Sequence, residues 1–273
     1  SPTKRSAAEK IIFSQPIRIF HLINAEVLKI SDPNTIVVLP VGSVEQHGPH
    51  LPLLTDSIIA SELITKAKEI VKDEINVIVL PILTYGCSYE HMDFPGTITL
   101  RLKTFLSVIE DIISSLSAFG VRKIAIANAH GGNAAILRST VFEFSRKYNV
   151  FITIIELYKI CSEAFSKYRE SVKIGAFHAG EMETSLMLHI SPSSVKTDKV
   201  QKGIPIKFFN KESAFYVEKP KGIGGFSWSS KMVSPIGVIG DPTLANKEKG
   251  KKIFDDAVNM LADILRELYH MKL

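Results

Sequence analysis

Short β-branched runs and longer stretches of helical period take turns along the chain. TIVVLPV (35–41) is the first run, entered from the turn-forming SDPN. From Ser57 to Val71 the apolar positions Ile58, Ile59, Leu63, Ile64, Ala67 and Val71 follow helical spacing. NVIVLPI (76–82) is the second run, followed by the loop TYGCSYEHMDFPG. A helix is then predicted over 102–119, with Phe105, Ile109, Ile112, Leu116 and Phe119 on one face and Gly120 as its stop. KIAIAN (123–128) is the third run, and AHGGN leads from it into a helix through Leu137, Val141 and Phe144. VFITIIE (150–156) is the fourth. Strands alternating with helices of this length predict βαβ units and a mostly parallel sheet covered on both faces. Right-handed crossovers then gather the strand-to-helix loops at one edge.

Beyond Ile160 the pattern loosens. GAFHAGEMETSLMLHI (175–190) reads as a glycine-containing approach to a short apolar helix, with Glu181 and Glu183 near its first turn. An edge strand is expected within 203–217, and KGIGGFSWSS as a glycine- and serine-rich loop around Trp228. The last amphipathic helix starts at Asn246 and carries Ile253, Phe254, Val258, Leu261, Ile264, Leu265 and Leu268. No internal repeat or linker interrupts the series, so a single domain over 1–273 is expected.

Composition narrows the function classes. Charged residues make up 22% of the 273 positions and the net charge is +5, with lysines scattered as solvated helix faces. No basic patch interleaves with aromatics, so nucleic acid is not an expected partner. No apolar run reaches the ~18 residues of a membrane helix, and no signal-type apolar core follows the polar first residues. A cytoplasmic location and no membrane partner are the expectations. Cys87 and Cys161 lack metal-type spacing and read as reduced, partly buried thiols.

Chemistry concentrates in VLPVGSVEQHGPHLPLLTD (38–56), where a strand breaks at Gly42 and sets out Glu45, His47, His50 and Asp56 on a loop. Glu45 and His47 stand two apart, so in extended chain their side chains point the same way. Asp56 sits near a helix start, where it could cap the helix or bridge two cations. His130 precedes two glycines on the matching loop of the third strand, which lets the backbone approach a ligand. His178 repeats that setting with Glu181 and Glu183 behind it. Carboxylates mixed with imidazoles, without thiolates, suit Zn, Mn or Fe. Glu45, His47, Asp56, His130 and one of Glu181 or Glu183 suit two divalent ions better than one. Such a pair would acidify water, polarise a carbonyl and need an acid for a leaving nitrogen, for which His178 is the candidate. His91, on the loop after the second strand, is placed to meet substrate, whereas His50 reads as a support behind the ligands or loop packing, with substrate contact left open.

PVGSVEQHGPHLPLLTD, EHMDFPGTITL, NAHGGN, HAGEMETSLML and GVIGDPTLANKEKG, in this order, resemble the creatininase (creatinine amidohydrolase) family from Val38 onward. The resemblance implies a three-layer α/β/α sandwich, a two-metal centre hydrolysing an amide-type C–N bond, and a homo-oligomer, commonly a hexamer. Glu45, Asp56 and His130 resemble the ligands of one metal, and His47 with the bridging Asp56 those of the other. Creatininase proper has a Glu two residues after the third-strand His, where this chain has Gly132. Glu181 is expected to replace that ligand, and Glu183 to orient His178 or to support the ligands from behind, with the choice between the two glutamates left open. Creatininase proper also closes on creatinine with tryptophans, and Tyr158 and Ile174 stand at the matching positions. A branch other than creatininase proper is therefore expected, with His91, Tyr158 and Trp228 facing the substrate.

The expected activity is hydrolysis of a non-peptide C–N bond, a cyclic amide or formamide, in a small molecule. Other family activities remain open: creatinine itself, a formylaminopyrimidine ribonucleotide, or a modified peptide. The reading from a different class is a ligand-binding homologue depleted of metal, and the one feature favouring it is Gly132.

Overall fold

The computed structural model describes residues 32–172, 176–203, 215–216, 224–225 and 227–272. Four parallel strands form the central sheet: β1 (Ile36–Val41), β2 (Val77–Val79), β3 (Lys123–Asn128) and β4 (Phe151–Glu156). Their spatial order is β2-β1-β3-β4. The chain goes from β1 to one neighbour and then crosses back to the other. The loops after β1 and β3 therefore part at the carboxyl edge, the crevice where open parallel sheets bind ligands.

Each central strand is buried on both faces, and alternate residues enter different cores. Ile36 and Val38 of β1, with Ala125 and Ala127 of β3, join one apolar cluster. Val37, Leu39 and Val41, with Ile124 and Ile126, join the other. The first cluster is completed by α1 (Thr55–Val71), α4 (Leu157–Ser166), α5 (Glu181–Ile190) and α7 (Lys247–His270), and the second by α2 (Leu102–Ala118) and α3 (Gly131–Tyr148). The result is the three-layer α/β/α sandwich. Each fully buried Leu or Ile in these clusters contributes roughly 1.5–3 kcal/mol of transfer free energy. On the first face the β3 alanines leave room for helices to lie close.

β2 is shorter than its apolar run. Pro81 offers no N–H to the ladder, yet the chain stays on β1 through Leu80 N donating to Val38 O (2.9 Å) and Leu83 N to Pro40 O (3.0 Å). Both ends of α7 are satisfied by side chains. Asn246 accepts from Lys249 N and caps α7. At its other end the ammonium of Lys123 donates to the carbonyls of Leu268, Tyr269 and Met271, the sign of charge a helix C-terminus favours.

Outside the main sheet, β5 (Ala176–His178) pairs antiparallel with β8 (Ile239–Gly240), holding His178 against the later part of the chain. β6 (Phe215–Tyr216) and β7 (Gly224–Gly225) form a two-residue parallel pair, and α6 (Ser230–Val233) is a single turn. Most of the edge-strand and glycine-rich-loop readings, and Ile174, lie outside the described residues. No helix among the described residues is long and apolar enough to cross a membrane.

Candidate metal centre

Three loops and one helix start meet at the carboxyl edge of the sheet. β1 ends at Val41, and a Cβ on Gly42 would stand 2.3 Å from Ser57 Oγ. Only glycine lets the loop pass so close to α1. That approach places Glu45 and His47 opposite Asp56, the second residue of α1. Asp56 does not serve as the side-chain cap, because the cap position is Leu54 and carries no such hydrogen bond. Its carboxylate turns inward instead and accepts a hydrogen bond from Ser43 Oγ (2.6 Å).

The two Asp56 oxygens divide between two histidines. Oδ1 lies 3.2 Å from His47 Nε2, and Oδ2 lies 3.3 Å from His130 Nδ1. Glu45 Oε2 is 3.0 Å from that same His130 Nδ1 and accepts from Ser88 Oγ (2.7 Å). Both imidazoles are oriented from behind. His47 Nδ1 donates to Glu45 O (3.2 Å), and His130 Nε2 donates to Cys87 O (2.9 Å). The second nitrogen of each ring therefore faces the carboxylates, as in a metal-ligating histidine whose other N–H is held by a carbonyl.

His178 and Glu183 close the cluster from the other side. Ala179, between them, adopts φ 50°, a left-handed conformation that costs a non-glycine residue about 1 kcal/mol. The bend aims the His178 ring at His47 (centroids 4.3 Å apart) and brings Glu183 Oε2 within 3.9 Å of His47 Nε2. Ala179 N donates to Glu183 Oε2 at 2.6 Å, which fixes that carboxylate. His91, from the 3-10 turn Tyr89–His91, stacks on His178 (4.3 Å) with Nε2 3.5 Å from Glu45 Oε1.

Glu181 does not reach the cluster, contrary to the sequence reading. Its carboxylate is fully buried, paired with Lys249 and accepting from Ser171 N (2.7 Å) and Glu170 N (3.2 Å). Residues two apart on a helix point to different sides, so α5 can offer only one of its two glutamates to the centre. That one is Glu183. His50 also stays outside, its Nε2 hydrogen-bonded to Thr184 Oγ1 (2.9 Å). Tyr158 stands in the first turn of α4, half-buried, with its hydroxyl against Arg138. Trp228, half-buried, directly precedes Ser229 and Ser230, which bond to Asp93 and His91.

Gly132 has a steric reason. A Cβ there would meet Cys87 O at 2.2 Å, His130 Nε2 at 2.5 Å and Glu90 Oε1 at 2.8 Å. Glu90 thus reaches across from the β2 loop into the room a side chain at 132 would need, and sits 3.6 Å from His130 Nε2. Sequence reasoning passed over Glu90, Ser88, Ser43 and Gln46. Their only signal was adjacency to the histidines and carboxylates it did select.

Three groups of side chains could hold a metal: Glu45, Asp56 and His130; His47, Asp56 and Glu183; and Glu45, His47 and His178. Within each, the ligand atoms lie within 4.8 Å of one another. The donor chemistry fits a cation. His47 Nε2 is buried without a hydrogen-bond partner, and three carboxylates surround it. Without a metal, protons take the cation's place. Burial works against charge on His47, but Asp56 outweighs it and lifts the pKa to about 10. On His130 burial is likewise outweighed, by Glu45, and its pKa is raised well above the ordinary value. Burial would raise Glu45, yet His130 brings it down to about 2, and His47 holds Asp56 well below the carboxylate range. Burial pushes Glu183 up to about 7, drives His178 well below the usual imidazole value and lowers His91 to about 4. Both cysteine thiols are raised by burial, Cys87 to about 11 and Cys161 to about 12, so neither offers a thiolate.

Comparison with known proteins fits this geometry. A family model described as creatinine amidohydrolase matches residues 21–265. The chain is 33% identical over 236 residues to the mycofactocin precursor peptide peptidase of Mycolicibacterium smegmatis, covering 85% of this chain and 84% of that protein. It is 26% identical over 254 residues to the creatinine amidohydrolase of Pseudomonas putida, covering 88% and 92%. Solved creatininase structures superpose with a TM-score of 0.77 over 93% of this chain and 98% of theirs, at 23% identity for an Mn form and 24% for a Zn–Zn form. The chain belongs to the creatininase family of amidohydrolases, in a branch other than creatininase proper.

Proposed function

We propose that the chain is a dinuclear metal-dependent hydrolase that cleaves an amide-type C–N bond in a small molecule, a cyclic amide or formamide. The observation that carries this reading is the division of Asp56, one oxygen to His47 and the other to His130. Glu45, Asp56 and His130 would hold one divalent ion, and His47, Asp56 and Glu183 the other. Zn, Mn and Fe all suit these donors. When bound, the pair supplies an acidified water and a polarised carbonyl.

The chain's own residues supply the rest. Ser43 and Ser88 donate to Asp56 and Glu45 and keep each carboxylate in one orientation. His178 donates its Nε2–H to Gln46 O (2.7 Å), which leaves Nδ1 bare toward Glu45. Burial keeps this ring neutral. At rest it is a proton acceptor. It takes a proton at Nδ1 as water adds to the carbonyl, and returns it to the nitrogen as the C–N bond breaks. His178 becomes the expected acid only in that second half.

A peptide amide is the second reading for the substrate, favoured by the 33% identity to a protein named as a peptidase. Assays with a lactam, a formamide and short peptides separate the two. We expect two equivalents of divalent metal per chain by elemental analysis. Glu45→Gln and Asp56→Asn should each lose metal and lower turnover by at least ~100-fold, since even groups behind the ligands are worth 10–100-fold. Full turnover by a demonstrably metal-free chain would overturn the proposal.

A further inference from the structure

The side chain of Gln46 lies between two histidines of the centre and makes more polar contacts than it has hydrogens to donate. Its Oε1 is 2.9 Å from Gly48 N, whose proton requires an acceptor, so the amide orientation is fixed. Nε2 then has two hydrogens and three neighbours: His91 Nδ1 at 2.8 Å, Gly237 O at 3.1 Å and His178 Nε2 at 3.1 Å. His178 Nε2 is also 2.7 Å from the backbone oxygen of Gln46. A bare nitrogen at that distance from a carbonyl oxygen would be repelled, so the His178 proton is on Nε2. That nitrogen cannot accept from Gln46. One Gln46 hydrogen goes to Gly237 O, and the other must go to His91 Nδ1.

We propose that Gln46 is a positioning residue that fixes the tautomers of both histidines, through its amide for His91 and its backbone oxygen for His178. His91 then carries its proton on Nε2, 3.5 Å from Glu45 Oε1, while His178 turns a bare Nδ1 to that same oxygen at 3.9 Å. A donor and an acceptor stand side by side on stacked rings. An amide offers a carbonyl oxygen to the first and, after water adds, a proton to the second. Ser230 Oγ, 2.8 Å from His91 Nδ1, does not decide the matter, because a hydroxyl can donate or accept. Gly237 is glycine because a Cβ there would overlap Gln46 Oε1 at 1.9 Å, so the amide is enclosed on that side too.

The use made of the pair rests on the hydrolase reading, but the tautomers do not. Long-range proton–nitrogen spectra of the Zn-loaded full chain distinguish the two forms of each ring. Both His91 and His178 are expected as Nε2–H, and a native His91 protonated on Nδ1 overturns the proposal. In Gln46→Leu, His91 should lose its single form while His178, held by backbone, keeps its own. Ser230→Ala should change neither. The variant should retain its metal yet turn over ~10-fold more slowly, in the range for groups that orient an active-site side chain. If Gln46→Leu does not fold, Gln46→Glu keeps the Gly48 acceptor and, ionised, removes the donor. His91 remaining wholly Nε2–H in the folded variant refutes the assignment. An inactive chain with the stated native tautomers would instead refute the hydrolase reading alone.

Discussion

At the scale of single residues, the centre depends on how closely backbone and side chains approach. Gly132 shows this directly, with three heavy atoms inside 3 Å of where its Cβ would be. Gly132→Glu would place a carboxylate where creatininase proper has one, yet it should not strengthen metal binding. The new side chain must displace Glu90 and tilt His130 off its Cys87 carbonyl. We expect a loss of about 1–3 kcal/mol, as for overpacking, and weaker metal retention, read by thermal unfolding and elemental analysis of the purified variant. Stronger retention would mean that the space is open. Glu45, His47, Asp56 and His130 were legible in sequence because metal-type residues clustered on loops beside glycines. Glu90 and Gln46 were not, because each acts only after the fold brings a loop from elsewhere against it.

At the scale of elements, α5 decides which glutamate serves the centre. The sequence places Glu181 and Glu183 together at a helix start but does not say which side of the helix meets α1. Packing settles it: α5 lies against α7, and Gly250 lets that contact close, since a Cβ there would meet Ser185 O at 1.8 Å. Glu181 then faces Lys249, whose ammonium also pairs with Glu170 (2.7 Å) and donates to Leu244 O (2.9 Å). Lys249→Met would leave the Glu181 carboxylate buried with only backbone donors. Breaking a buried pair in this way costs about 3–5 kcal/mol, and denaturant unfolding measures it. Replacing both residues, Lys249→Met with Glu181→Leu, should recover most of the loss. The main-sheet strands and α1, α2, α3, α5 and α7 were legible from periodicity. α4, which follows β4 with no turn residue between them, was not, and β2 ends before the Pro81 that its apolar run contains.

At the scale of the whole molecule, stability and metal binding are linked through protons. In the metal-free chain the pKa of His47 rises from 6.5 to about 10, because burial, which lowers it, is outweighed by Asp56. A proton bound more tightly in the folded state stabilises it fully below about pH 6.5. That contribution fades as pH climbs toward 10. Glu183, raised by burial from 4.5 to about 7, fades in the same direction over a lower range. The unfolding temperature of the chelator-treated chain should therefore fall between pH 6.5 and 10, on the order of 5 °C beyond any fall in the loaded chain. Calorimetry on both forms tests this, and parallel curves would show that the metal does not replace those protons. The sheet order that brings the loops together follows the expected alternation of strands and helices, but the choice of β1 and β3 as central neighbours is a tertiary outcome.

The position of α7 also bears on the order in which the molecule is built. The candidate ligands, from Glu45 to Glu183, leave the ribosome well before residues 247–270 do. α2 and α3, which cover one face of the sheet, can pack while synthesis continues, since domains form from the N-terminal side onward. The other face must wait, because α1, α4 and α5 are joined in one apolar cluster by Ile253, Phe254, Val258, Leu261 and Leu265 of the final helix. The nascent chain thus carries its acidic and imidazole side chains through synthesis before the layer that sets their spacing has formed. Any selective capture of a metal by these side chains would then follow the packing of α7.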